Sequence, residues 1–194
     1  MSQRSLQRGV LLLLMVALSL ALALPARAAT NTVTGDIAGI DADLGDSNTV
    51  TLTAQALGLI KRAFLANGTA IASGATLPRG TTVKFLIYIN NDTAFGVNDV
   101  SAQDVLAAGF AYQAGTLRVD NVVNNCLAAV CTVAEEAAIY ASVNATAART
   151  DVIDADVVSV TGATIDAGNQ SVLNGQLNIA ANKVWAMLFT VVMQ

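Results

Sequence analysis

The sequence predicts an all-β fold, a sandwich or a barrel, with one short helix in a crossover connection. Three observations carry this. Apolar residues recur mainly at every second position, the periodic runs are short and separated by turn-forming residues, and a single segment carries a helix-capping signature.

The first residues read as a targeting segment. Arg4 and Arg8 precede an apolar run from Gly9 to Leu24, and Pro25-Ala-Arg-Ala-Ala29 offers an A-x-A site at Ala26 to Ala28. That is the pattern of a secretory signal peptide, with cleavage expected after Ala28. The run is shorter than the about 20 apolar residues a spanning helix needs. The expected organisation is therefore a signal peptide over 1–28, an N-terminal strand segment with an acidic loop over 29–56, and a β-sandwich domain over 57–194. Cleavage would remove Arg4, Arg8 and Arg27, leaving seven basic residues against fourteen acidic ones. Without a basic patch to neutralise phosphates, no nucleic-acid partner is expected.

The strands follow from period two. Thr49 to Ala54 alternates threonine with Val50, Leu52 and Ala54, and the phase shifts near Gly58, as a bulge would produce. Thr82 to Asn90 sets Val83, Phe85, Ile87 and Ile89 on one face and Lys84, Leu86 and Tyr88 on the other. It runs into Asn90-Asn-Asp92, read as a turn in which Asn90 caps backbone groups. Shorter strands are expected at Asp99 to Ala102, Phe110 to Gln113, Leu117 to Val122, Val157 to Thr161 and Val172 to Ile179. Turn signals stand at Ala66-Asn-Gly68, Pro78-Arg-Gly80, Ala108-Gly109 and Asp166-Ala-Gly-Asn169. The last strand, Val184 to Met193, is apolar on both faces, so it should be central and covered on both sides, or be covered by another chain. An outer-membrane barrel would need a polar inner face, which this strand lacks.

One segment breaks the period. Thr132-Val-Ala-Glu135 is a capping box ahead of an alanine-rich run to about Val143, which predicts a helix of two to three turns. Just before it, Cys126 and Cys131 are the only cysteines. An even pair in an exported chain is expected to form a structural disulfide, and the spacing is not that of a C-x-x-C redox motif.

Function is constrained mostly by what is missing. The sequence has no histidine, which excludes Ser-His-Asp and Cys-His catalysis and histidine-ligated zinc. Lys61, Lys84 and Lys183 do not stand in an S-x-x-K arrangement, and no glycine run matches a phosphate loop. No enzyme activity and no cofactor is expected. Asp41, Asp43 and Asp46 cluster in a glycine-containing loop, as a calcium site would require. Gly45 takes the fifth position, where an EF-hand places an oxygen ligand, and no glutamate stands at the twelfth. A solvated acidic turn is the expectation, with calcium as the alternative. Asp151, Asp154 and Asp156 form a second, weaker cluster.

Residues 61 to 119 resemble the conserved-repeat β-sandwich domain of bacterial and archaeal surface proteins. The resemblance rests on Lys61, Gly74, Phe85 to Asn90, Val100, Asp104 to Leu106 and Gly109-Phe110. Ala102 replaces the second valine of the family's V-x-V strand, and "DVLAAG" lacks its proline. The resemblance implies an immunoglobulin-like sandwich and work at the cell surface, and it transfers no catalytic residue. The expected function is a secreted structural subunit of the cell surface, matrix or an extracellular filament, with residues 29–56 either pairing within their own domain or adding as a strand to a neighbouring subunit. The alternative is a periplasmic or surface binding module for glycan or a protein. Partners are then copies of the chain or other surface proteins, with no membrane span after signal cleavage.

Overall fold

The computed structural model describes residues 27–35, 46–54, 57–124, 126 and 130–194, the first two ranges as backbone. The chain divides into two compact units, Met1–Ala56 and Leu57–Gln194. In the first, β1 (Arg27–Gly35) pairs antiparallel with β2 (Asp46–Ala54) along the full length of both strands. The register sets Thr30 opposite Thr51 and Thr32 opposite Thr49, with Ala29 opposite Leu52 and Asn31 opposite Val50. The threonine alternation of the two strands is thus in phase, and the pair forms a two-stranded sheet.

The second unit is built around a six-stranded antiparallel sheet. Its strands are β3 (Gly58–Leu65), β4 (Ala70–Ile71), β5 (Thr82–Asn91), β8 (Phe110–Tyr112), β9 (Arg118–Asn124) and β13 (Lys183–Met193). The order is β4-β3-β5-β13, with both β8 and β9 on the far side of β13. A second layer comprises β10 (Val158–Thr161), β11 (Thr164–Ala167) and β7 (Ala102–Val105), together with the pair β12 (Leu177–Ile179) and β6 (Val97–Val100). The helix α1 (Val133–Ala145) lies in the connection from β9 in the first layer to β10 in the second. The unit is an all-β sandwich with one short helix in a crossover connection.

Strand parity explains both cores. Val83, Phe85, Ile87 and Ile89 of β5 meet Trp185, Met187, Phe189 and Val191 of β13, and all pack against Val158, Ile165, Leu177 and Ile179 of the second layer. The intervening residues Leu86, Tyr88, Ala186 and Leu188 face the other way, onto Ile139, Tyr140 and Val143 of α1 and the two cysteines. The two apolar faces of β13 are each covered, one by a sheet and one by a helix. Ten consecutive residue pairs join β5 to β13, from Lys183↔Asn91 to Val192↔Thr82.

Helix α1 starts where its sequence directs. Thr132 accepts from the Glu135 amide, and the Glu135 carboxylate accepts from the Thr132 amide. The helix extends to Ala145, two residues past the predicted end.

Four local expectations are corrected. Asp99 to Ala102 is not one strand: the chain breaks at Ser101 between β6 and β7, with Asp99 at a φ of 59°. Val172 to Gln176 is not extended sheet, and only Leu177–Ile179 pairs, with β6. Asp166 and Ala167 belong to β11 and not to a turn, since they pair with β10 on one side and β7 on the other. The turn begins at Gly168, whose φ is 83° and where an added Cβ would lie 2.2 Å from the Val100 carbonyl oxygen. Only glycine fits there. Finally, Asn91, and not Asn90, organises the turn after β5. Its side-chain amide donates to the carbonyls of Phe95 and Ala180, and its oxygen accepts from the Thr93 amide and hydroxyl.

Candidate functional site

Asn90 shares the face of Leu86 and Tyr88, so its side chain points at the disulfide segment. Its amide donates to the Cys126 carbonyl at 3.3 Å and its oxygen accepts from the Cys126 amide at 3.1 Å. Cys126 and Cys131 are joined in a disulfide and both are buried, 1% and 6% exposed. Asn90 therefore satisfies both backbone groups of the buried Cys126. Replacing both cysteines by alanine should lower stability by about 2 kcal/mol, the loop-closure value for so short a ring. A urea titration with an unchanged slope and a lower midpoint is the expected result.

Beside the disulfide, Glu136 of α1 is 8% exposed and its Oε1 accepts from the Tyr88 hydroxyl and from Arg62 Nε, each at 2.8 Å. The carboxylate ties the helix to β5 and to β3. Burial first, and then the bond to Glu136, hold the Tyr88 hydroxyl well above its ordinary pKa of 10.0.

The acidic clusters differ in what can be said of them. Asp41 and Asp43 lie outside the described residues, and Asp46 is described as the backbone of the first residue of β2. Asp151, Asp154 and Asp156 are not brought together around a common point. Asp151 accepts from the Tyr112 hydroxyl and the Gly115 amide, Asp154 from the Thr150 hydroxyl and the Asp156 amide, and Asp156 from Arg149. These bonds to Thr150 and Asp156 hold the Asp154 carboxyl below the usual carboxylate value. Among the described residues, no three cysteine or carboxylate side chains form a metal-ligating group.

The feature that the sequence did not single out is an open sheet edge. On its outer side β3 pairs with β4 only at Ala63 and Phe64, so within the sandwich unit Gly58 to Arg62 has no described strand beside it. A groove of about 780 Å³ lined by Ala63, Ile71, Leu77, Phe85 and Met193 lies toward the β4 end and reaches the open stretch at Lys61 and Arg62. Leu59, at 62% exposure, stands on the open stretch. Lysines and arginines ordinarily guard such edges by resisting desolvation. Here both heads are drawn into ion pairs: Lys61 with Asp104 of β7 at 2.7 Å, and Arg62 with Glu136 at 2.8 Å. Lys61 Nζ also lies 4.2 Å from the centre of the Phe85 ring. The sequence signal was the pair Lys61-Arg62 at the start of an alternating run, but its partners are 43 and 74 residues away.

No protein-family model matches the chain. No curated protein matches it significantly. Among solved structures, it is similar to the collagen-binding domain of the Erysipelothrix rhusiopathiae surface protein RspB, at 12% identity and a TM-score of 0.37. The match covers 87% of this chain and 45% of that one, so the chain spans less than half the length of that structure. Among the described residues, no helix is long and apolar enough to cross a membrane.

Proposed function

We propose that the protein is a secreted structural subunit of a cell surface, matrix or filament, which assembles by strand addition between copies. The observation that carries this is the Gly58–Arg62 edge, which has no described strand beside it within the sandwich unit, in a chain that also holds a two-stranded sheet. An unpaired strand edge is a template for pairing, with backbone hydrogen bonds supplying affinity and alternate side chains supplying register. A two-stranded hairpin is marginal in water by itself, so β1 and β2 gain by joining a larger sheet. One copy thus offers strands and another an edge. That is a head-to-tail contact, and it propagates when the operation does not close.

A glycan-binding role finds less support. Sugar platforms use exposed aromatic faces. Trp185 is 1% exposed, and Phe95, at 78%, is the only aromatic among the strongly exposed large apolar residues described.

The test is assembly with and without the hairpin. Electron microscopy and light scattering of the secreted chain should show oligomers or filaments, and deletion of residues 29–54 should leave monomers. Monomers in both cases would overturn the proposal.

A further inference from the structure

At the far end of the helix-covered face, beyond α1, two cations share a polar hollow of about 320 Å³. Lys84 of β5 and Arg118 of β9 flank β13, opposite Thr190 and Leu188 in the register. Parity places both on the face of Leu86 and Leu188. Thr116, Asn144 and Thr190 complete the polar wall and Leu188 lies among them. Lys84 Nζ donates to Asn144 Oδ1 at 2.7 Å.

Neither cation has a described carboxylate partner. Lys61, Arg62 and Arg149 of the same unit each have one, while Lys183 bonds instead to the Val122 carbonyl and Asn124. Burial and the neighbouring Arg118 charge lower the Lys84 pKa from its ordinary value, as expected of a cation lacking a counter-ion. The end of α1 offsets part of this charge through its dipole. It reaches only Lys84, through Asn144, and the Val143 carbonyl is already taken by the Thr146 amide and hydroxyl.

We infer that the Lys84–Arg118 hollow is a carboxylate-binding site whose ligand is the aspartate-bearing segment between β1 and β2 of a second copy. The chemistry favours a carboxylate, because a guanidinium fork and an ammonium point charge together match its two oxygens. Charge complementarity favours this source. Residues 35–46, GDIAGIDADLGD, hold four aspartates and no basic residue. The inference rests on the assembly reading above and adds a second contact to it.

The experiment uses the secreted chain, diluted to a monomeric concentration, and a synthetic peptide of residues 35–46. Calorimetry should show binding that weakens as salt rises. A peptide with all four aspartates changed to asparagine should bind at least tenfold more weakly, and so should the native peptide to the K84Q/R118Q chain. Thermal melts establish that this variant is folded. Addition of the native peptide should also raise the Lys84 pKa, read by NMR of its side chain. Equal binding of the asparagine peptide, or undiminished binding to K84Q/R118Q, overturns the inference. Binding of a polyuronate in place of the peptide overturns it too, assigning the hollow to a glycan. If filaments form while the peptide fails to bind, this inference falls and the assembly reading stands. If the peptide binds a chain that stays monomeric at every concentration, the assembly reading falls.

Discussion

Phe189→Ala should destabilise the sandwich by about 4 kcal/mol, within the range for truncating a buried aromatic. Phe189 is fully buried in β13, and its ring meets Phe85 at 5.8 Å and Tyr112 at 6.3 Å between centroids. Phe85 in turn packs edge-on against Phe110 at 5.3 Å. The cavity would open at the centre of an aromatic cluster drawn from β5, β8 and β13, where rigid sheet neighbours limit collapse. Leu188→Ala on the opposite face removes less volume and should cost about 3 kcal/mol by the same reasoning. Denaturant midpoints of both variants check this. Equal and small losses would mean that β13 is not the shared wall of two cores.

Glu136→Ala should cost about 3 kcal/mol, because it strands the buried Tyr88 hydroxyl and releases Arg62 together. Glu136→Gln keeps an acceptor for Tyr88 and should cost less. The pair Glu136→Ala and Tyr88→Phe should be strongly non-additive, since either change alone breaks the same bond. The linkage also has a pH signature. The Tyr88 pKa is raised in the fold, so its contribution is fully present below the unfolded value near 10.0 and is lost as pH rises above it. Glu136→Gln should end that alkaline decline at a lower pH, and an unchanged pH range of decline would separate Tyr88 from Glu136.

What the sequence made legible was local or strictly periodic. The two apolar faces of "KVWAMLFTVVMQ" required a central strand with cover on both sides, and the capping box marked the first turn of α1. Asp166 misled because aspartate and a following glycine read as a turn, whereas Gln103 Nε2 donates to its carboxylate at 2.8 Å and lets it sit buried in β11. Val172-Leu173 looked like a strand by composition, yet Leu173 is 88% exposed and has no sheet partner. Asn90 and Asn91 are adjacent, and parity alone decides that one faces the disulfide and the other the turn. The open edge of β3 and the Lys84–Arg118 hollow were beyond local reasoning. Each is defined by which strands become neighbours, and that depends on pairings many residues apart.

Assembly by strand addition requires the outer edge of β3 to acquire a strand from another copy. Hydrogen exchange of the Gly58–Arg62 amides, followed as protein concentration rises, tests it most directly. Amides on the outer side should become protected as oligomers form, and that protection should disappear when residues 29–54 are deleted. Oligomers in which those amides exchange as fast as in the monomer would contradict it.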